Sequence, residues 1–289
     1  MLFEFHARTL ETEISNSQGK KSSSSCANIR RSAKRASIAT VIAASFVLCF
    51  ATPRVTSTEP SKNKTPGAVR ILRFPDKYSC GALYFERFND SDEVQNGIRR
   101  YLAPARGNVS VPADSKISLY ISYRAALHLQ DLDQLKPNDL FKICFDRIDT
   151  EEPLDLAPLG HLTGLTDLRF ASSNLSDATV AKLAPLKNLI RLHLWWCAIK
   201  GTSFGAFVGM HNLKYLNISL NPLAPEAFAA LGRMPQVTEL DVSKCEVPDA
   251  ELAQIGKITE LTRLDVNGNS AITAKGLQCL RACRKLEFL

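Results

Sequence analysis

Trp195 and Trp196 are the only tryptophans in a chain of 289 residues, and they stand next to His193 and Leu194. Large aromatic and cationic side chains dominate binding energy wherever a fold leaves them open to solvent. Tyr215 can join them if the chain folds back, with Arg169 and Arg191 at the edge of the same patch. Asp241 and Asp265 supply carboxylates 24 residues apart, with Glu239 close by. Adjacent carboxylates can hold a cation or divide acid and base duties between them. Beyond these, little in the chain could do chemistry. No nucleophile has a base and an orienting group at hand, so no catalytic residue is expected. The glycines are scattered, with neither a phosphate loop nor a dinucleotide fingerprint, and no cofactor is expected. Cys279 and Cys283 are four apart on a predicted helix with no histidine nearby, which argues against a metal site.

What positions these residues is a repeat. Leu165, Leu189, Leu213, Val237 and Leu261 recur every 24 residues, and each begins the same apolar pattern. Leu165-x-x-Leu168-x-Phe170 returns as Leu189-x-x-Leu192-x-Leu194, Leu213-x-x-Leu216-x-Ile218, Val237-x-x-Leu240-x-Val242 and Leu261-x-x-Leu264-x-Val266. Apolar residues then come back at helical spacing, as in Val180/Leu183/Leu186 and Leu252/Ile255/Ile258. The change from a period of about two to one of three to four predicts a short strand followed by a helical turn or two in each unit. The fifth unit is one residue longer and resumes at Ile272, Leu277, Leu280 and Leu286.

This stretch resembles leucine-rich repeat proteins, particularly the bacterial type with units of about 24 residues. Gly276-Leu-Gln-Cys-Leu-Arg-Ala-Cys283 is similar, once, to the cysteine-containing variant of ubiquitin-ligase adaptors. The resemblance implies an α/β solenoid, a horseshoe with a parallel sheet on its concave side, and a role in binding macromolecules. It implies no catalytic residues.

On such strands the residues between the core leucines face away from the core. Two places after each start come Asp167, Arg191, Tyr215, Glu239 and Arg263. Four places after come Arg169, His193, Asn217, Asp241 and Asp265. Trp195 and Trp196 follow six and seven places after Leu189. The expected binding set is therefore Arg169, Arg191, His193, Trp195, Trp196, Tyr215, Asn217, Asp241 and Asp265. Two alternatives stay open: the tryptophans pack along their own strand and turn, and the carboxylates form a solvated strip offset by Lys244 and Arg263. Cys197 and Cys245 occupy one slot of units two repeats apart, at about 10 Å for strands spaced by 4.8 Å, which is beyond disulfide reach. Asn221 and Asn269 fill the same slot, where a polar side chain satisfies backbone groups in the turn.

The rest of the chain frames the repeat. Residues 1–51 join a basic, serine-rich arm to the apolar run Ile38–Ala51, shorter than the roughly 20 residues that span a bilayer; this reads as a signal peptide or signal anchor. Residues 52–69 are a tether of Pro, Ser, Thr and Lys. Residues 70–124 alternate in short extended runs and are expected to form a β-rich cap over the first unit of the repeat domain, 125–289, with Leu119/Ile121 as a first degenerate strand. Leu140-x-x-Ile143-x-Phe145 is a further strand one step out of frame. Leu286-Glu-Phe-Leu289 opens another unit, which suggests a stack open at that end and self-association there. The net charge of +7 does not invoke nucleic acid, because residues 1–70 hold eleven Lys/Arg against four Asp/Glu while residues 140–289 hold sixteen of each. The sequence thus predicts an exported, non-enzymatic module binding a protein or glycan on its concave face, touching membrane only through its N-terminal segment. The other reading is an intracellular adaptor that selects substrates for another enzyme.

Overall fold

The computed structural model describes residues 68–86 and 100–289; the signal segment 1–51 and nearly all of the tether lie outside them. No helix among the described residues is long and apolar enough to cross a membrane.

Seven strands run parallel in one sheet. They are β5 (Ile117–Ile121), β6 (Lys142–Asp146), β7 (Asp167–Ala171), β8 (Arg191–Trp195), β9 (Tyr215–Asn217), β10 (Glu239–Asp241) and β11 (Arg263–Asp265). From β7 onward the register advances by one repeat per strand, so that Asp167, Arg191, Tyr215, Glu239 and Arg263 lie side by side. The strand one step out of frame joins in the same way, with Lys142 beside Asp167 and Phe145 beside Phe170. The leucines of the pattern are buried completely, among them Leu165, Leu168, Leu189, Leu192, Leu213 and Leu216. Phe145 and Phe170 stack at 4.4 Å.

The return half of each unit takes its form from local sequence. Pro225 at the first helical position and Glu226, Ala227, Ala229 and Ala230 behind it give a full α-helix over Pro225–Leu231. Residues Phe204–Phe207 make only a 3-10 turn, with Gly205 inside it and no side-chain cap. Asp177–Ala181 is short but closed by a capping box between Ser176 and Thr179. These turns stack on one another across the core from the sheet. Packed helices are about 8–10 Å apart and strands about 4.8 Å, so the sheet takes the inner, concave side.

The β-rich region is built into the solenoid. β2 (Gly81–Phe85) pairs antiparallel with β5, and β3 (Arg100–Pro104) pairs antiparallel with β2, extending the sheet to nine strands. Gly81 has φ +146°, and a Cβ there would stand 2.0 Å from the Tyr120 carbonyl oxygen, so only glycine lets β2 approach β5. β1 (Val69–Arg73) and β4 (Asn108–Pro112) form a separate two-stranded ribbon. The Arg70 guanidinium holds that ribbon by donating to the carbonyls of Asn138 (2.6 Å) and Ser115 (2.7 Å). One apolar core runs from Leu72 to Cys283. β5 belongs to the parallel ladder itself, with Leu119 beside Ile143, rather than to a layer laid over it.

After each strand the chain bends, and the bend buries polar backbone. Asn221 accepts from the amides of Cys197 (2.9 Å) and Ile199 (3.3 Å) and donates to the carbonyls of Leu194 (2.6 Å) and Ile218 (2.8 Å). Asn269 does the same one pair of units on, with the amides of Cys245 and Val247 and the carbonyls of Val242 and Val266. Each asparagine thus serves its own turn and the preceding one. The intervening Cys197 and Cys245 are free and buried, and their thiols donate to the carbonyls of Trp195 and Ile218 respectively, both at 3.3 Å.

Replacing Asn221 with Ala strands the amides of Cys197 and Ile199 and the Leu194 carbonyl, each worth about 1–3 kcal/mol when left unpaired, and leaves the Ile218 carbonyl only the Cys245 thiol. Chemical denaturation should show a loss of at least ~2 kcal/mol, whereas an exposed control such as Asn188→Ala should change little. A loss at Asn221 within ~0.5 kcal/mol would contradict the ladder's role.

Candidate functional site

The open face of the sheet carries two columns of side chains. The first runs Ser118, Lys142, Asp167, Arg191, Tyr215, Glu239 and Arg263; the second runs Tyr120, Cys144, Arg169, His193, Asn217, Asp241 and Asp265. Seven of the nine residues expected from the sequence lie in these two columns, Trp195 follows at the end of β8 and Trp196 sits in the bend after it, and they do not share one environment.

Asn217, Asp241 and Asp265 first serve the backbone. The Asn217 side-chain oxygen accepts from the Ser219 amide at 3.0 Å, Asp241 from the Ser243 amide at 2.9 Å, and Asp265 from the Asn267 amide at 3.0 Å. Each closes an Asx turn that diverts the amide two residues on from the sheet ladder. That is why β9, β10 and β11 stop after three residues. Arg169 and His193 fill the same position in β7 and β8 and cannot make this turn, so those strands run on to Ala171 and Trp195. The extra length of β8 carries Trp195 onto the open face. Trp196 follows with φ +52°, in the left-handed position that Arg147, Ser172, Leu220 and Lys244 also occupy after their strands. Its ring meets Trp195 edge-on at 6.2 Å.

His193 lies against Tyr215, ring centroids 4.7 Å apart. Both are partly buried, as are Trp195, Trp196 and Arg191, while Arg169 is exposed. Burial, with the charges of Arg169, Lys142 and Arg191 around it, pushes the His193 imidazole down to about 3. At neutral pH it is an uncharged ring among cations. Burial likewise pushes the Tyr215 hydroxyl up. Asp241 is held above the usual carboxylate range by burial and by Asp265, against the hydrogen bonds from Ser243. Its other oxygen accepts from Asn217 at 2.6 Å.

Toward the N-terminal end the face holds a nearly dry ion pair. The Lys142 ammonium is 3.3 Å from Asp167, whose side chain is 6% exposed and whose Oδ1 has no hydrogen-bond partner among the described residues. Burial raises the Asp167 carboxyl, and Lys142 pulls it back. Beyond it sit buried Cys144 and a cluster of edge-on tyrosines, with Tyr84 at 5.1 Å from Tyr120 and 5.7 Å from Tyr101. The alternation Lys142-Ile-Cys144-Phe could have revealed the β6 share of this face. The tyrosines of β2 and β3 could not be found from a 24-residue frame, because those strands enter the sheet antiparallel. Among the described residues no group of three or more His, Cys, Asp or Glu is placed to hold a metal.

Residues 209–232 and 258–280 match the family model described as Leucine Rich repeat. Those two stretches lie within the ladder of strands one repeat apart, which has the fold of a leucine-rich repeat solenoid. No curated protein matches it. Solved structures similar to it include internalin C2 from Listeria monocytogenes, 20% identical over 60% of this chain and 69% of that one, with a TM-score of 0.47. Internalin InlF of the same organism is 17% identical over 55% of this chain and 48% of its own, with a TM-score of 0.39. The plant peptide hormone receptor RGFR1, solved in complex with RGF2, is 17% identical over 61% of this chain and 28% of its own, with a TM-score of 0.40. The chain thus spans less than half the length of InlF and of the receptor.

The depressed imidazole gives a pH prediction. An unfolded chain takes up the His193 proton near the ordinary value of about 6.5, while the folded chain resists until about 3. The contribution to stability is therefore intact above pH 6.5 and is lost progressively as pH falls toward 3. Nuclear magnetic resonance should show no His193 titration between pH 5 and 8. The stability difference between wild type and His193→Gln should shift against wild type as pH drops through that window; a His193 midpoint near 6.5 would refute the burial argument.

Proposed function

We propose that the chain is a non-enzymatic interaction module, exported or tethered at the membrane, that binds a protein partner on the concave face through His193, Trp195, Trp196 and Tyr215. The observation that carries this reading is the extended β8. It places the two tryptophans, beside the His193–Tyr215 pair, at the end of a strand whose later counterparts turn away early. Partly exposed aromatic rings with cations at their rim are what interface hot spots are made of. Arg169, Arg191 and Asn217 complete the contact surface, with Asp241 and Asp265 at its acidic end. Export rests on the basic arm and short apolar run that precede the tether.

Two measurements test it. Trp195→Ala should leave the melting temperature within a few degrees and reduce capture of a partner by the purified chain, since loss of a central aromatic typically costs about 2 kcal/mol or more of binding. A collapse of stability, or capture that does not change, would defeat the assignment. Amino-terminal sequencing of the mature protein should begin near Thr52 if the apolar run is cleaved; an anchored form keeps its N-terminus but sediments with membranes. An intact Met1 on a protein recovered only from the cytosol would favour the adaptor reading instead.

A further inference from the structure

The second column of the open face has a direction. It passes from Arg169 through His193 and Asn217 to Asp241 and Asp265, from cation through neutral polar groups to carboxylates. The neighbouring column alternates instead, with Asp167 beside Arg191 and Glu239 beside Arg263, so the gradient belongs to the second column. Glu239 has Arg263 as its register neighbour, whereas Arg169 stands between Cys144 and His193. Lys142 is engaged by Asp167 at 3.3 Å, whereas exposed Arg169 has no ion pair or hydrogen bond among the described residues, and neither has Glu239. Asp265 commits Oδ1 to its turn, and no hydrogen bond reaches its Oδ2 among the described residues. Arg263, the cation nearest the acidic end, lies over the Phe288 ring at 5.8 Å. The aromatic groups occupy the middle, on β8 and β9.

Resting on the reading of this face as a protein-binding surface, we propose that its ligand is an extended peptide segment of opposite polarity. An acidic residue meets Arg169, an apolar residue covers His193 and Tyr215, and a basic residue meets Glu239, with the remaining oxygen of Asp265 beyond it. The spacing follows from the strands. β7 and β10 are three strands apart, about 14 Å, and an extended chain covers that in roughly four residues at ~3.3 Å each. The segment lies across the strands, with acid and base about four positions apart. Complementary charges of this kind select partner and register more than they add affinity. An acidic glycan would satisfy the Arg169 end and leave the carboxylates facing it unpaired, which is why a peptide is favoured.

Selection from a displayed library of random 12-residue peptides on the immobilised full chain tests this directly. Enriched peptides should carry one acidic and one basic residue about four apart with an aromatic or aliphatic residue between. Arg169→Glu, an exposed change checked for folding by circular dichroism, should weaken them roughly tenfold, the worth of about one charge pair. Reselection on that variant should exchange the acidic residue for a basic one. Peptides that depend on Trp195 but lack the charge pair, or that bind Arg169→Glu equally well, would overturn the polarity while leaving the proposed function standing. Failure to enrich any peptide that Trp195→Ala weakens would overturn both. Competition by heparin oligosaccharides but not by charge-paired peptides would point to a glycan and count against this proposal.

Discussion

Each repeat must bend its backbone out of a buried strand without leaving amides and carbonyls unpaired, and the structure depends on how that is done. A buried unpaired peptide group costs as much as a hydrogen bond or more. Asn221 and Asn269 answer this with side chains that offer both a donor and an acceptor, each satisfying two consecutive turns. The alternate units can then use cysteine, a small apolar residue with a weak donor, because their backbone is already served by the asparagine ahead of them. Fixing the turn fixes the register, and fixing the register lines up the columns of the open face.

A second local choice divides that face. Where the fourth residue after a repeat start is Asn or Asp, it captures an amide and ends the strand. Where it is Arg or His, the strand continues. The first three positions of this kind after β6 read Arg, His, Asn, so the boundary falls between β8 and β9. The same pattern that lengthens β7 and β8 puts a cation, Arg169, at one end of the column, and the Asx turns of Asp241 and Asp265 put carboxylates at the other. The charge gradient and the strand lengths are one feature of the sequence.

Much of this architecture is legible in the order of residues alone. The 24-residue frame locates the strands β7 to β11 and the identity of every residue facing outward, because period-two alternation leaves only one arrangement once the leucines are buried. The role of the Asn/Cys slot is legible too, from residue chemistry. Local competition is not. Asp241 and Asp265 read as free carboxylates, and nothing in their spacing shows that an amide two residues on will claim one oxygen. Leu119/Ile121 are legible as a degenerate first strand, and β5 pairs with β6 accordingly; the antiparallel entry of β2 and β3 beside it depends on long-range pairing through Gly81 that no repeat period encodes.

Strands one repeat apart lie side by side, and cysteine pairs on the open face test that arrangement most directly. Arg169→Cys with His193→Cys puts two thiols on neighbouring strands, about 4.8 Å apart and within disulfide reach. Arg169→Cys with Asn217→Cys puts them two strands apart, at about 10 Å, and beyond it. Mild oxidation followed by peptide mass spectrometry should find the first bond and not the second. A bond in the second pair without one in the first would contradict the ladder and everything built on its face.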